Sequence, residues 1–311
     1  MVRVKKRKKI IIGYILTSMD ITMEEELFLK LAKKKNIKII LINLFKKIDE
    51  KEFENQIRGC DLLYNSSPED FVIEFLKTAE ELGKTVIDTP QLYYYTEDKW
   101  MFYLKCRKHK VPTPATILLS HNLNIAKSEL KEFGQWPVIL KRIYGMMGEY
   151  VKKADNPAQA IRVMKKMHKK DCDKLPIIAQ EFISSPSYRV TIIDKKIIQT
   201  AVKKNKGWKS TGMFSKKFEK FKIDSTLRKI LEKIIRFTQI DICGVDLLKK
   251  NGKWLVLEVN STPSLDFFDE EYEHLVDLVL NSLKKYHLRN KAKSKSKKAK
   301  TKKVKAKRTK N

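Results

Sequence analysis

Apolar and polar positions along residues 9–95 repeat with two periods in turn. The runs Lys8–Leu16, Ile37–Ile42, Cys60–Tyr64 and Lys84–Ile87 are short and apolar, as buried strands are. Between them, Thr22–Lys35, Glu50–Arg58 and Pro68–Leu82 carry apolar residues at helical spacing, the last with a proline at its start. Strands alternating with helices predict a parallel, doubly wound sheet. The first strand–helix turn, LTSMD, has no glycine fingerprint, so no dinucleotide site is expected there.

Residues 96–111, TEDKWMFYLKCRKHKV, read as a helix that VPTPAT ends. Residues 115–185 then read strand, helix, strand, glycine loop, strand, helix, strand. In QWPVILKRIYGMMGEYV an apolar strand, Pro137–Leu140, ends in Lys141 and is followed by a loop holding Gly145 and Gly148. A lysine beside a glycine turn places a cation and backbone N–H groups where phosphates can be held. The P-loop pattern GxxxxGK[ST] is absent. In LPIIAQEFISSPSYRV a buried strand runs into Gln180, Glu181, Phe182 and Ile183, which could offer backbone groups to a purine edge. Taken alone, that run reads as an ordinary edge strand.

Residues 244–265, GVDLLKKNGKWLVLEVNSTPSL, read as a hairpin around Asn251-Gly252. A strict two-residue turn would set Asp246 opposite Leu257 and leave Glu258 on the other face. A three-residue loop Asn251-Gly252-Lys253 sets Asp246 opposite Glu258 instead, with Asn260 on the same face about 7 Å further on. Leu255, Leu257 and Val259 would line the opposite face. Two buried carboxylates side by side repel unless a cation lies between them. Oxygen-only ligands in this number suit Mg²⁺. Without a metal, the same residues would make a polar edge strand with solvated acids.

The chain has 311 residues and room for two or three domains. No apolar run reaches the roughly 18 residues of a membrane span, so no membrane partner is expected. The basic-then-apolar start reads as a first core strand rather than a signal peptide, because Ile10–Leu16 is short and no small-residue cleavage site follows. Cys60, Cys106, Cys172 and Cys243 form no CxxC pair, which argues for a reducing, cytoplasmic setting. The five histidines show no ligand spacing. Formal charge is +30, and residues 289–311 hold 13 Lys/Arg and no acid, leaving +17 for the rest. That tail is expected to be disordered and able to bind nucleic acid non-specifically, or merely to solubilise the chain.

Taken in order, TEDKW, PVILKRIYGMMGE, QEFI, GVDLL and LEVNSTPSL resemble the ATP-grasp superfamily over residues 9–285, and within it the RimK-like carboxylate–amine ligases (the α-L-glutamate and LysX-type group). The resemblance implies an α/β ATP-grasp fold. Residues 1–95 would be the Rossmann-like parallel-sheet domain. Residues 96–185 and 186–286 would be two α+β subdomains that clamp ATP, with 287–311 the basic tail. It implies that Lys99 and Lys141 hold the phosphates and that the Gly145–Gly148 loop covers them. Gln180 and Glu181, with backbone at Phe182 and Ile183, would hold adenine. Asp246, Glu258 and Asn260 would hold two Mg²⁺, with Mn²⁺ as a substitute. Arg189 would lie near the γ-phosphate, and Lys209 where the family has a substrate- or phosphate-binding arginine. The partners implied are a small carboxylate and an amine, a protein acceptor being a further option, and homo-oligomers are common in the group.

Four departures stand out. Tyr150 occupies the third glycine position of the loop. WKSTGMFSKK lacks the usual Arg-Ser-Asn and Gly-Gly. The acidic ribose ligand appears as Ser187 or Tyr188, and Ser264 replaces the glycine of N-x-x-P-G-L. Two other functions fit parts of the pattern. One is an ATP-grasp kinase acting on a polyol or inositol phosphate, which the basic surface would suit. The other is a non-catalytic nucleic-acid-associated homologue, against which the three buried oxygen residues argue.

Overall fold

The computed structural model describes residues 9–67, 69–145, 148, 150–170, 175–203, 208 and 217–308, with the side chains of 70, 94 and 292–308 left aside. Two compact units result: residues 1–89 with 269–311, and residues 90–268.

In the first unit four strands, β1 (Ile10–Ile15), β2 (Ile37–Ile42), β3 (Leu62–Asn65) and β4 (Val86–Ile87), form a parallel sheet in the order β2-β1-β3-β4. The connecting helices are α1 (Met23–Lys34), α2 (Glu50–Arg58) and α3 (Asp70–Glu81). Thr22 and Glu25 close a capping box at the start of α1, satisfying N–H groups that the first turn leaves unpaired. Tyr14, Phe28 and Tyr64 pack together in the core, with ring centroids 4.9–5.8 Å apart.

The second unit begins with two helices, α4 (Pro90–Thr96) and α5 (Lys99–Lys108). It then builds two antiparallel sheets. The first contains β5 (Thr116–Leu118), β6 (Val138–Arg142), β7 (Val151–Ala154) and β8 (Ile177–Glu181) in the order β5-β8-β6-β7. It is backed by α6 (Leu123–Phe133) and α7 (Pro157–Lys170), whose Ala126, Leu130, Ala160, Met164 and Met167 pack on Val138, Leu140 and Ala179. Because β8 pairs with both β5 and β6, it is an interior strand, not the edge strand it resembles alone. The second sheet contains β9 (Ser187–Ile193), β10 (Lys196–Lys203), β11 (Phe218–Glu219), β12 (Ile242–Lys250) and β13 (Lys253–Asn260), ordered β11-β10-β9-β12-β13. Its core is closed by α8 (Ser225–Thr238), which buries Leu227, Ile230, Leu231 and Ile234 at helical spacing. Each such side chain contributes about 1.5–3 kcal/mol. Asp224 caps α8 through Leu227 N at 2.7 Å and also accepts from Trp254 Nε1 at 2.7 Å, tying the helix to β13.

The C-terminal helix α9 (Asp269–Arg308) belongs to the first unit and packs on α1, with Lys35 bridging to Asp277 at 2.7 Å. Helix α9 continues through the basic segment to Arg308, because lysine, alanine and arginine favour helix and no glycine or proline follows residue 269.

Candidate functional site

Register brings the wall together. Strand β12 pairs Asp246 with Glu258 on β13 and with Arg189 on β9. The turn at Asn251-Gly252 has two residues, both at positive φ, and Lys250 pairs with Lys253. A three-residue loop was the expected device, but the shift comes from a bulge instead. Pairing jumps from Leu247–Val256 to Asp246–Glu258, leaving Leu257 extra. Trp254, Val256 and Val259 therefore face the core, while Leu257 turns to the site, not to the opposite face.

Asp246 is buried and doubly held. Arg189 Nε donates to Oδ1 at 2.6 Å and Nη2 to Oδ2 at 2.9 Å, a bidentate pair, and Asn260 Nδ2 donates to Oδ2 at 3.2 Å. Lys203 Nζ lies 4.0 Å from Oδ1. Burial pushes the Asp246 carboxyl up. The charges of Arg189 and Lys203 and the hydrogen bonds with Arg189 and Glu258 outweigh it and hold the group below the usual range. Gly244 makes room for the guanidinium: a Cβ there would meet Arg189 Nη1 at 2.0 Å.

Lys141 lies in the interior of β6, one residue before its end, and is buried. Burial pushes its ammonium down to about 8, with Glu258 and Asp246 opposing and Lys99 assisting. These four groups therefore share one electrostatic environment. The Asp98 carboxylate caps α5 through Trp100 N and Met101 N at 2.9 Å and accepts from Tyr144 Oη at 3.1 Å. Lys99 N donates to Ile143 O at 3.0 Å and Lys99 Nζ to Gly145 O at 2.8 Å, so the start of α5 is laced to the glycine loop. Gly145 and Gly148 both have positive φ. Tyr150, at the third glycine position, packs with Arg142 Cζ 4.1 Å and Lys170 Nζ 5.0 Å from its ring centre.

Lys99, Tyr103, Lys141, Ile178, Gln180 and Leu257 are among the residues lining one cleft. Gln180 Nε2 donates to Thr116 Oγ1 at 3.0 Å, and Glu181 pairs with Lys250. Phe182 N is engaged by Pro137 O at 3.0 Å, and Ile183 is buried beside it in sequence. Lys209 lies outside the described residues. Lys203 is the site residue that sequence reasoning missed. Its signal was a lysine closing the apolar strand IIQTAVK, buried to 3 % exposure.

The donor set tests the metal reading. Among the described residues no three of His, Cys, Asp and Glu gather as a metal cluster. The wall supplies two carboxylates and a carboxamide, all oxygen donors, which fits Mg²⁺ because that ion fills its shell with water and phosphate. Among Asp246, Glu258, Arg189, Lys203, Lys99 and Lys141 the charges sum to +2, which suits a polyphosphate anion carrying a divalent cation.

This clamp of two antiparallel sheets is shared by solved structures. The RimK domain ATP-grasp protein of Sphaerobacter thermophilus superposes with a TM-score of 0.70 at 13% identity, over 86% of this chain and 98% of that one. The D-alanine–D-alanine ligase of Bacillus anthracis superposes at 0.68 and 16% identity, over 90% and 99%. The fold is thus ATP-grasp. A sequence profile of the RimK-like ATP-grasp domain matches residues 96–280, and the chain belongs to that family. A probable α-L-glutamate ligase of Haemophilus influenzae is 24% identical over 200 residues, 63% of this chain and 65% of the relative, so the match spans just under two thirds of that protein. The coenzyme γ-F420-2:α-L-glutamate ligase of Methanocaldococcus jannaschii is 24% identical over 251 residues, 70% of this chain and 85% of the relative.

Proposed function

We propose that the protein is an ATP-dependent carboxylate–amine ligase. The observation that carries this is the pairing of Asp246 with Glu258 and Asn260 in electrostatic reach of Lys99 and Lys141. A carboxylate oxygen of the substrate attacks the γ-phosphorus of ATP. The bond to the β-phosphate oxygen breaks, and ADP and an acylphosphate form. The amine nitrogen then attacks the acyl carbon, phosphate leaves with the C–O electron pair, and the amine loses a proton to solvent. Catalysis of this kind is positioning and charge neutralisation. Lys99 and Lys141 offset phosphate charge, and Arg189 faces the transferred group. The cleft lined by Gln180 and Leu257 receives the base, with Glu181, Phe182 and Ile183 next along the chain to hold it. Asp246, Glu258 and Asn260 would hold two Mg²⁺ or Mn²⁺, which would supply positive charge to offset that of the phosphates. Lys209 would meet the acceptor.

The test is Mg²⁺-dependent phosphate release from ATP with a panel of amino and hydroxy acids, each with and without an amine. Release that needs both partners supports the ligase. A phosphorylated organic product with no free phosphate would replace it with a kinase.

Lys141 gives a pH prediction. Below about 8 it is protonated in the free protein and ready for phosphate. Above that, binding must also recover a proton, so the Kd for ATP rises as pH climbs from 8 to 9, by up to about tenfold per unit. The stability effect has the opposite sign. The unfolded lysine binds its proton more tightly, so this group adds stability as pH rises between about 8 and its ordinary 10.5. Lys141→Met should flatten the Kd profile in equilibrium titrations with ATP.

The basic end of α9 supports a separate property, non-specific nucleic-acid binding. Residues 289–311 hold 13 Lys/Arg, no acid and no apolar residue larger than valine, so they lack the greasy face a membrane helix needs. Deleting 289–311 should abolish salt-sensitive RNA retention on a filter and leave the rate on small substrates unchanged. A collapse of that rate would place the segment in the active site. No helix among the described residues is long and apolar enough to cross a membrane. Cys60, Cys106 and Cys243 are buried thiols, which supports a cytoplasmic setting.

A further inference from the structure

Beside Asp246 lies a buried donor that no acceptor satisfies. Arg189 spends Nε and Nη2 on Asp246, and its Nη1 is buried without a hydrogen-bond partner. Lys203, at 3 % exposure, has Asp246 only at 4.0 Å. Asp246 and the partly exposed Glu258 match the two cations in number, yet Nη1 of Arg189 stays a buried donor with no acceptor, and a buried unpaired donor calls for one. Phe267, in the segment after β13, lies against both cations. Its ring centre is 5.9 Å from Arg189 Cζ and 5.7 Å from Lys203 Nζ, and Phe218 of β11 packs edge-on at 5.0 Å.

We infer that this cluster selects the acid to be activated: a carboxylate bound by Lys203 and Arg189 Nη1, with an apolar body against Phe267 and Phe218. This rests on the ligase reading. Phe267 is only partly buried, so the atoms next to a carboxylate held there meet its ring. An aromatic face carries partial negative charge and gives nothing to a second carboxylate. Among the described residues, the cations set against Phe267 are Arg189 and Lys203, and they are already committed to Asp246 and to the first carboxylate. An acidic side chain therefore meets an apolar wall, whereas a leucyl or phenylalanyl side chain buries area on it. The cluster thus works against glutamate as the activated acid, although the curated relatives carry glutamate in their names.

Hydroxylamine tests this directly. It attacks an acylphosphate at the acyl carbon, releasing phosphate and leaving a hydroxamate that gives a coloured ferric complex. The full chain is incubated with ATP, Mg²⁺ and hydroxylamine, and with leucine, phenylalanine, glutamate or aspartate, each free and N-acetylated. The expected result is hydroxamate from leucyl or phenylalanyl acids at about 10-fold or more higher kcat/KM than from the acidic ones. Phe267→Ser should raise KM for the apolar acid about 10-fold while KM for ATP stays put, and Phe267→Leu should restore most of it. Lys203→Met should raise KM for every acid, with partial recovery in Lys203→Arg. Equal or better use of glutamate, or unchanged acid KM in Phe267→Ser, overturns the selection and leaves the ligase standing. Phosphate release without hydroxamate from any acid overturns the ligase reading and this inference with it.

Discussion

Glu258→Gln is expected to lower turnover by at least about 10²-fold while the protein keeps its fold. The change is nearly isosteric. It keeps an oxygen at the position paired with Asp246 and removes one negative charge from the wall. Glu258 is partly exposed, so no buried ion is orphaned by the swap. Asp246 is a poorer place to test the chemistry. Removing it would leave the buried Arg189 and Lys203 with only the partly exposed Glu258 as counter-charge, and loss of folding would mask loss of catalysis. The measurement is phosphate release at saturating ATP across a Mg²⁺ titration, beside a thermal melt. A lower rate with a raised Mg²⁺ requirement and a Tm within a few degrees is the expected pair. Normal turnover would remove Glu258, and with it the metal wall, from the mechanism.

Much of this site was legible because it is written locally. Strand and helix order depends on period and punctuation, and β2 and α2 match their expected bounds residue for residue. Asp246, Glu258 and Asn260 stood out as oxygen donors in apolar strands, and the pairing of Asp246 with Glu258 held. The device behind that register was misread, because a bulge at Leu257 has no marker such as glycine, and Asn-Gly fits either turn. Helix α4 was missed because PQLYYYT is short and nearly all apolar or aromatic, with no polar face to reveal a period. Lys203 escaped for a different reason. Its role comes from β9, β10 and β12 lying side by side, and that adjacency is a property of the sheet rather than of any segment. The basic segment carries two opposed signals: charge repulsion favours disorder, and the intrinsic preference of lysine and alanine favours the helix α9 that runs to Arg308.

Gly244→Ala is expected to destabilise the protein by about 3 kcal/mol or more, the range for breaking a buried ion pair. Its added Cβ would meet Arg189 Nη1 at 2.0 Å, Cζ at 2.9 Å and Cδ at 3.0 Å, so the guanidinium must leave its place. Departure breaks both hydrogen bonds to Asp246, which is then left buried with Asn260 and a distant Lys203. Backbone strain is not the cause, because Gly244 is absent from the positive-φ glycines and sits in a regular ladder opposite Thr191 and Asn260. The clash therefore belongs to one side chain, and a double-mutant cycle isolates it. Arg189→Met alone should cost as much as Gly244→Ala, since both leave Asp246 without its bidentate partner. The double variant should cost far less than the sum, because the flexible thioether can bend away from the new methyl group. Urea midpoints of the four proteins decide the matter. Additive costs would mean that Gly244 and Arg189 act separately, and that the close approach over β12 does not hold the Arg189–Asp246 pair in place.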